Sequence, residues 1–207
     1  LTTQNIESVH RDLLNLKSNL NQEFYQQVWN SLKEHFYARL ENSLKSKDWR
    51  TADFTTDRLM LFIADREKEQ FLNIPEIENF SCKELKEIDK LWVYNSGGNF
   101  GFSVQKRIWV ETGNRLGVKP EDWNEKDSYN YLRFASTVGW YDDRKNNERE
   151  FPWDYNDYMK MVTVDPKHWG PGGLPWLYKV QMVVFNSGGR NIHENGDFSF
   201  LFSRCDL

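Results

Sequence analysis

Apolar positions over the first forty residues fall in helical steps. Ile6, Val9, Leu13, Leu16 and Leu20 alternate three- and four-residue intervals, the spacing of a coiled-coil seam. The next heptad position is Glu23, so the seam covers two heptads, short of the three or four that a sustained coiled coil shows. Phe24, Val28, Trp29, Leu32, Phe36 and Leu40 then share one wide face of a second helix, with Asn19 to Asn21 as punctuation. The two helices read either as a hairpin packed on the main body or as a linker or dimer seam.

From Leu44 the texture changes, which sets residues 1–43 apart as an N-terminal helical segment from a core domain over 44–207. Asp48 is placed to cap a helix beginning at Trp49, whose stripe continues through Leu59, Phe62 and Ile63 to a charged run at Asp65 to Glu69, read as a solvated helix end. Phe71, Leu72, Ile74 and Ile77 surround Pro75, which resists helix continuation, so these apolar residues are either tucked inward or left for a ligand. Ser81 and Glu84 match a capping box ahead of Leu85, Ile88, Leu91 and Trp92, and Asn95-Ser96-Gly97-Gly98 stops that helix. A third helix carries Val104, Ile108 and Trp109. A fourth carries Tyr131, Leu132, Phe134, Ala135 and Val138, closed by Gly139-Trp140. Val180 to Phe185 reads as a strand with which Phe198 to Phe202 could pair in a short C-terminal β-hairpin. The fold class is mainly α.

Composition adds one pointer and removes several functions. Nine Trp in 207 residues, within an aromatic share of 15%, imply an aromatic core or an aromatic-lined ligand surface. A net charge of −4 argues against nucleic acid as a partner. No apolar run approaches the roughly 20 residues of a membrane span. Cys82 and Cys205 are too few for a disulfide framework or a four-cysteine zinc site and read as free thiols of a reducing compartment. His10, His35, His168 and His193 are scattered, without metal-ligand spacing. The Gly97-Gly98 turn lacks the Gly-Lys-Ser/Thr of a phosphate loop, and no Gly-x-Ser-x-Gly occurs. Asp53 and Asp89, beside apolar helix residues, read as hydrogen-bonded structural carboxylates. No residue set takes named enzymatic roles. What remains is a binding surface, where aromatics from Trp140 to Tyr158 and the Phe71–Ile77 segment would suit a flat conjugated ligand. If that ligand carries carboxylates, Lys106, Arg107 and Lys179 are the candidate cations. The chain opens on Leu1 rather than Met, which reads as a piece of something longer.

Longer blocks carry a family resemblance. Leu44-Lys45-Ser46-Lys47-Asp48-Trp49-Arg50-Thr51-Ala52-Asp53 with Thr55-Thr56 resembles the opening of the genomes-uncoupled-four domain. Its most specific block follows: Ile88-Asp89-Lys90-Leu91-Trp92, then the run from Asn99-Phe100-Gly101-Phe102-Ser103-Val104-Gln105 to Trp109. Val138-Gly139-Trp140 and Gly173-Leu174-Pro175 come next in the family's order. The resemblance implies a mainly α domain from cyanobacteria or plastids, placed in the cyanobacterial cytoplasm or the plastid stroma. It implies a non-catalytic regulator that binds protoporphyrin and magnesium protoporphyrin, in some members linear bilins, and stimulates magnesium chelatase through its large subunit in chlorophyll biosynthesis. No cofactor is required beyond that ligand. Carried onto this chain, the family's groove has Phe71, Leu72 and Ile74 on one side, Trp153 on the other, Leu174 in the Leu-Pro turn and Lys179 as the nearby cation.

The chain departs from that pattern at named places. Porphyrin-binding members carry paired arginines soon after the Leu-Pro turn, whereas here Lys179 is followed by no arginine until Arg190. Loss of a bidentate carboxylate partner costs about 1 kcal/mol or more per anchor. Gly172-Gly173 stands where those members have Gly-His, and His168 to Pro171 look inserted. The ending from Phe198 to Cys205 is similar to copies of the domain attached to kinases or caspase-like proteases. A sensory or interaction module of a larger signalling protein, with a different ligand or none, is therefore the alternative expectation.

Overall fold

A computed structural model describes residues 3–16, 21–140, 159, 172–175 and 196–207. Among these the chain is helical without strands: α1 (Thr3–Asn15), α2 (Gln22–Lys45), α3 (Trp49–Ile63), α4 (Ile74–Asn79), α5 (Cys82–Asn95), α6 (Phe102–Glu111), a 3₁₀ turn at Pro120–Asp122, α7 (Glu125–Thr137) and α8 (Gly196–Ser203). The mainly α class read from periodicity is what the structure shows.

The longest packing line joins α2 to α3. Leu32, Phe36, Leu40 and Leu44 recur every four residues on one stripe and are fully buried against Leu59, Phe62 and their neighbours. Asn21 Oδ1 accepts from Phe24 N to start α2, and Asp48 Oδ1 accepts from Thr51 N to start α3. The helix passes through positions 43 and 44 without a break, and Leu40 and Leu44 lie in one core.

α1 lies along α2, and a carboxylate anchors it. Glu7 is 6% exposed and accepts from Arg39 Nη1 at 2.9 Å and from Arg58 Nη2. Such a pair gives specificity more than stability, because desolvation offsets most of the Coulomb gain. Leu14 turns toward the core, while Val9 and Leu16 of the a/d seam are about half exposed. Leu20 lies outside the described residues.

Around α5 and α6 the core is aromatic. Trp92 is fully buried and donates from Nε1 to Thr56 Oγ1, which satisfies its one polar atom. Trp49 stacks on it at 6.2 Å, and Phe100 meets both rings edge-on. Asp89 Oδ1 accepts from Ser103 N at 2.8 Å and so caps α6 from the neighbouring helix. Burial raises its pKa against the pull of the Ser103 and Phe102 donors, so Asp89 is a structural carboxylate as the sequence led us to expect.

A second ion pair fixes the turn into α7. Arg115 is bidentate on Asp127, with Nε to Oδ1 at 2.8 Å and Nη2 to Oδ2 at 2.6 Å. Asp127 also accepts from Asn124 N, closing a capping box. The Arg115 hydrogen bonds hold the Asp127 carboxyl below its ordinary value of 3.8. A depressed folded-state pKa means stability that is complete above that ordinary value and disappears as pH falls through the folded one. Thermal unfolding from pH 6 down to pH 2 should show this loss, and Arg115→Met should flatten the acid limb. An unchanged limb in the variant would remove the pair from the acid response.

Two expectations are corrected. Gly196–Ser203 is a helix, so the proposed hairpin lacks its second arm; its first, Val180 to Phe185, lies outside the described residues. The alternation of Phe198-Ser199-Phe200 imitates a strand, yet Ser199, Phe200, Leu201 and Phe202 are all buried, as in a helix surrounded on every side. The cysteines are not free thiols: Cys82 and Cys205 form a disulfide, with Cα atoms 5.3 Å apart. Packing of α8 against α4 and α6 brings together residues 123 positions apart, which spacing could not reveal.

Candidate functional site: a cleft between α3 and α4

The family landmarks converge on one structural clamp. Gly101 N donates to Leu174 O at 2.9 Å, and Gly172 N donates to Asn99 O. Gln105 Nε2 donates to Pro175 O at 2.8 Å, and Trp140 Nε1 donates to Gly173 O at 2.9 Å. The peptide Gly172–Pro175 is thus held by α6, the turn before it and the end of α7. Leu174 is fully buried within this clamp and joins the core cluster. A Cβ at Gly172 would stand 2.7 Å from Ile108 Cδ1, so the peptide approaches α6 as closely as a glycine allows.

The Phe71–Ile77 segment divides. Leu72 and Ile77 are buried in the core, whereas Phe71 and Ile74 stay half-buried at the surface. Leu72 and Leu174 are both fully buried among the described residues. Where that segment enters α4 lies an open cleft of about 340 Å³, lined by Ile63 and Ala64 at the end of α3 and by Pro75, Glu76, Asn79, Phe80 and Ser81; Phe71 and Ile74 are not among its lining residues. Such a volume sits at the low end of ligand pockets, about 300–1,000 Å³. Asn73 N donates to Glu76 Oε2 at 3.1 Å, which sets the first turn of α4.

Arg66 is the cation here that the sequence reading passed over. Its guanidinium lies over the Phe71 ring at 5.5 Å, and Nη1 sits 3.6 Å from Glu76 and 3.8 Å from Glu69. The charged run looked solvated, but Arg66 lies just past the end of α3 at Ile63 and borders the Pro-broken segment. That position was the available signal. The other expected cations fall elsewhere: Arg107 is exposed and 3.9 Å from Glu111 on its own helix, Lys106 is half-buried on α6, and Lys179 lies outside the described residues. Trp153 is outside them too. Among the described residues, no group of three or more His, Cys, Asp or Glu is arranged for a metal ion, and no helix is long and apolar enough to cross a membrane.

Together these features define a helical domain with one aromatic core, its Gly172–Pro175 landmark bonded into the scaffold and a cleft of mixed lining open between α3 and α4. The chain belongs to the GUN4-like family, whose model matches residues 30–161, more than half of its length. It is 34% identical over 122 residues to the tetrapyrrole-binding protein, chloroplastic, of Arabidopsis thaliana, covering 54% of this chain and 41% of that one. It is 43% identical over 70 residues to a Ycf53-like protein of Synechocystis, covering 33% and 30%. The chain spans about two-fifths or less of the length of these curated relatives. The fold is similar to the ligand-free structure of Arabidopsis thaliana GUN4, with a TM-score of 0.52 and 25% identity over 83% of this chain and 93% of that one. The matched range begins inside α2 and takes in α3 to α7.

Proposed function

We propose that the protein is a non-catalytic tetrapyrrole-binding regulator. The observation that carries this reading is the half-buried apolar pair Phe71 and Ile74 on the segment whose Pro75 and Glu76 line an open cleft, in a family with a relative named for tetrapyrrole binding. A flat macrocycle gains from wide apolar contact and needs few polar anchors. In this proposal Phe71 and Ile74 border the ligand and Trp153 and Lys179 approach from the other side. Leu72 and Leu174 hold the segments in place from the core. The partner is the large subunit of magnesium chelatase, stimulated by the loaded protein in the cyanobacterial cytoplasm or the plastid stroma. Self-association through α1 is supported by the outward Val9 and Leu16; light scattering should show a dimer that Leu13→Glu dissolves, and a monomer throughout would end that part.

Titration with protoporphyrin and magnesium protoporphyrin tests the ligand. Saturable binding below about 1 µM, roughly −8 kcal/mol, is expected from Soret absorbance and Trp quenching. Phe71→Ala and Trp153→Ala should each weaken it about 3- to 10-fold, the worth of one aromatic contact. The exposed Tyr94→Ala should leave it unchanged. No spectral change up to tens of micromolar would remove the proposal. That outcome would favour an interaction module with another ligand or none, the reading supported by the lack of arginine between Leu174 and Arg190.

A further inference from the structure

We propose that Cys82 and Cys205 form a thiol–disulfide exchange site whose co-substrate is a dithiol reductant, and that the state of this pair latches or frees the end of α8 at the rim of the cleft. The two sulfurs sit in opposite fields. Cys82 is the first residue of the 14-residue α5, where helix amides favour a thiolate, and Arg204 Nη2 lies 3.8 Å from its sulfur. Cys205 follows the C-terminus of α8, the end that disfavours negative charge. Both residues are partly exposed.

This asymmetry sets the direction of exchange. A reductant thiolate attacks Cys205 Sγ, the S–S bond breaks, and the electron pair leaves on Cys82 Sγ, the better leaving group. The second reductant thiol then resolves the mixed disulfide and releases Cys205. Two electrons and two protons pass to the pair, and the reductant departs as its own disulfide.

The fold makes the step reversible and its effect local. α8 has anchors that do not involve sulfur: Phe200, Leu201 and Phe202 are buried, Ser199 Oγ accepts from Val118 N and donates to Val118 O, and Gly117 N donates to Ser199 O. These keep the thiols near each other after reduction, so oxidation closes the same bond. What reduction releases is the stretch beyond Ser203 and its hold on the cleft. Arg204 Nη2 donates to Phe80 O at 3.1 Å, and Phe80 and Ser81 line the cleft directly before Cys82.

Equilibrating the full chain in dithiothreitol of graded redox ratio, then capping thiols with a heavy maleimide, should show both cysteines appearing together and disappearing on reoxidation. Far-UV circular dichroism should stay at its oxidised value. Hydrogen exchange should quicken about tenfold over residues 203–207 and 80–82 and stay constant in α2 and α3. The double variant Cys82→Ser/Cys205→Ser should match the reduced exchange pattern and ignore the reductant. Arg204→Gln should slow reduction about 3- to 10-fold, because it removes the charge that stabilises the leaving thiolate. Resistance to excess reductant until the chain unfolds, loss of helicity on reduction, or exchange rates unmoved at 203–207 would each overturn the switch. Faster or unchanged reduction of Arg204→Gln would overturn the leaving-group assignment. None of these readouts needs a tetrapyrrole, so the test stands apart from the ligand reading.

Discussion

Trp109→Ala is expected to remove about 3–5 kcal/mol of folding stability, the range for emptying a large aromatic site in a packed core. Trp109 is fully buried and meets Phe134 at 5.1 Å, Phe202 at 5.5 Å and Tyr131 at 6.1 Å, all edge-on. These neighbours come from α7 and α8, so one ring joins α6 to both. Its indole nitrogen donates to Arg115 O at 2.9 Å, and alanine would leave that carbonyl without this donor. Phe134 in turn packs on Trp140, whose own nitrogen holds Gly173 O, so the loss should reach the Gly172–Pro175 clamp. Urea unfolding checks the figure. Trp109→Phe should recover part of the loss, since it keeps the ring contacts and drops the hydrogen bond. A Trp109→Ala change below about 1 kcal/mol would show that α7 and α8 are held by other means.

Gly101→Ala should cost roughly 2–5 kcal/mol, the sum of backbone strain and overpacking. Gly101 has φ of 134°, a conformation that side chains rarely adopt. A methyl group there would lie 2.7 Å from Val93 Cγ2 and 2.8 Å from Asp89 Oδ1. The displaced carboxylate is the one that caps α6, and the Gly101 amide bonds Leu174 O, so both features fail together. Gly98→Ala separates strain from collision. Gly98 also has positive φ, at 81°, but nothing lies within 4 Å of a Cβ there, so the expected cost is only about 1–2 kcal/mol. Equal losses in the two variants, measured by urea unfolding, would show that the close approach at Gly101 contributes nothing.

Local rules were enough for much of this fold. The Asp48 cap, the Ser81 cap and the stripes on α2, α5, α6 and α7 each depend on residues a few positions apart, and the structure shows them in place; the Glu84 half of the expected box does not form, because its carboxylate accepts from Lys33 and Tyr37 of α2 instead. The family was legible for a related reason. The blocks from Ile88 to Trp109, Val138 to Trp140 and Gly173 to Pro175 bond to one another, so each needs its own residue types. Leu174 belongs to that mutual bonding, its carbonyl accepting from Gly101 N. The Phe71–Ile77 segment was legible only as a choice between core and ligand, and the structure divides it, sending Leu72 and Ile77 inward and leaving Phe71 and Ile74 half-buried.

Periodicity and capping chemistry thus set which stretches become helices and which faces they bury, because those preferences act within one or two turns of chain. Contacts between distant segments answer to no such local signal. The seating of α8 that turns an alternating Phe-Ser run into a buried helix, the meeting of Cys82 with Cys205 and the position of Arg66 over Phe71 each arise only when helices dock. Docking is decided by the summed burial of many side chains at once.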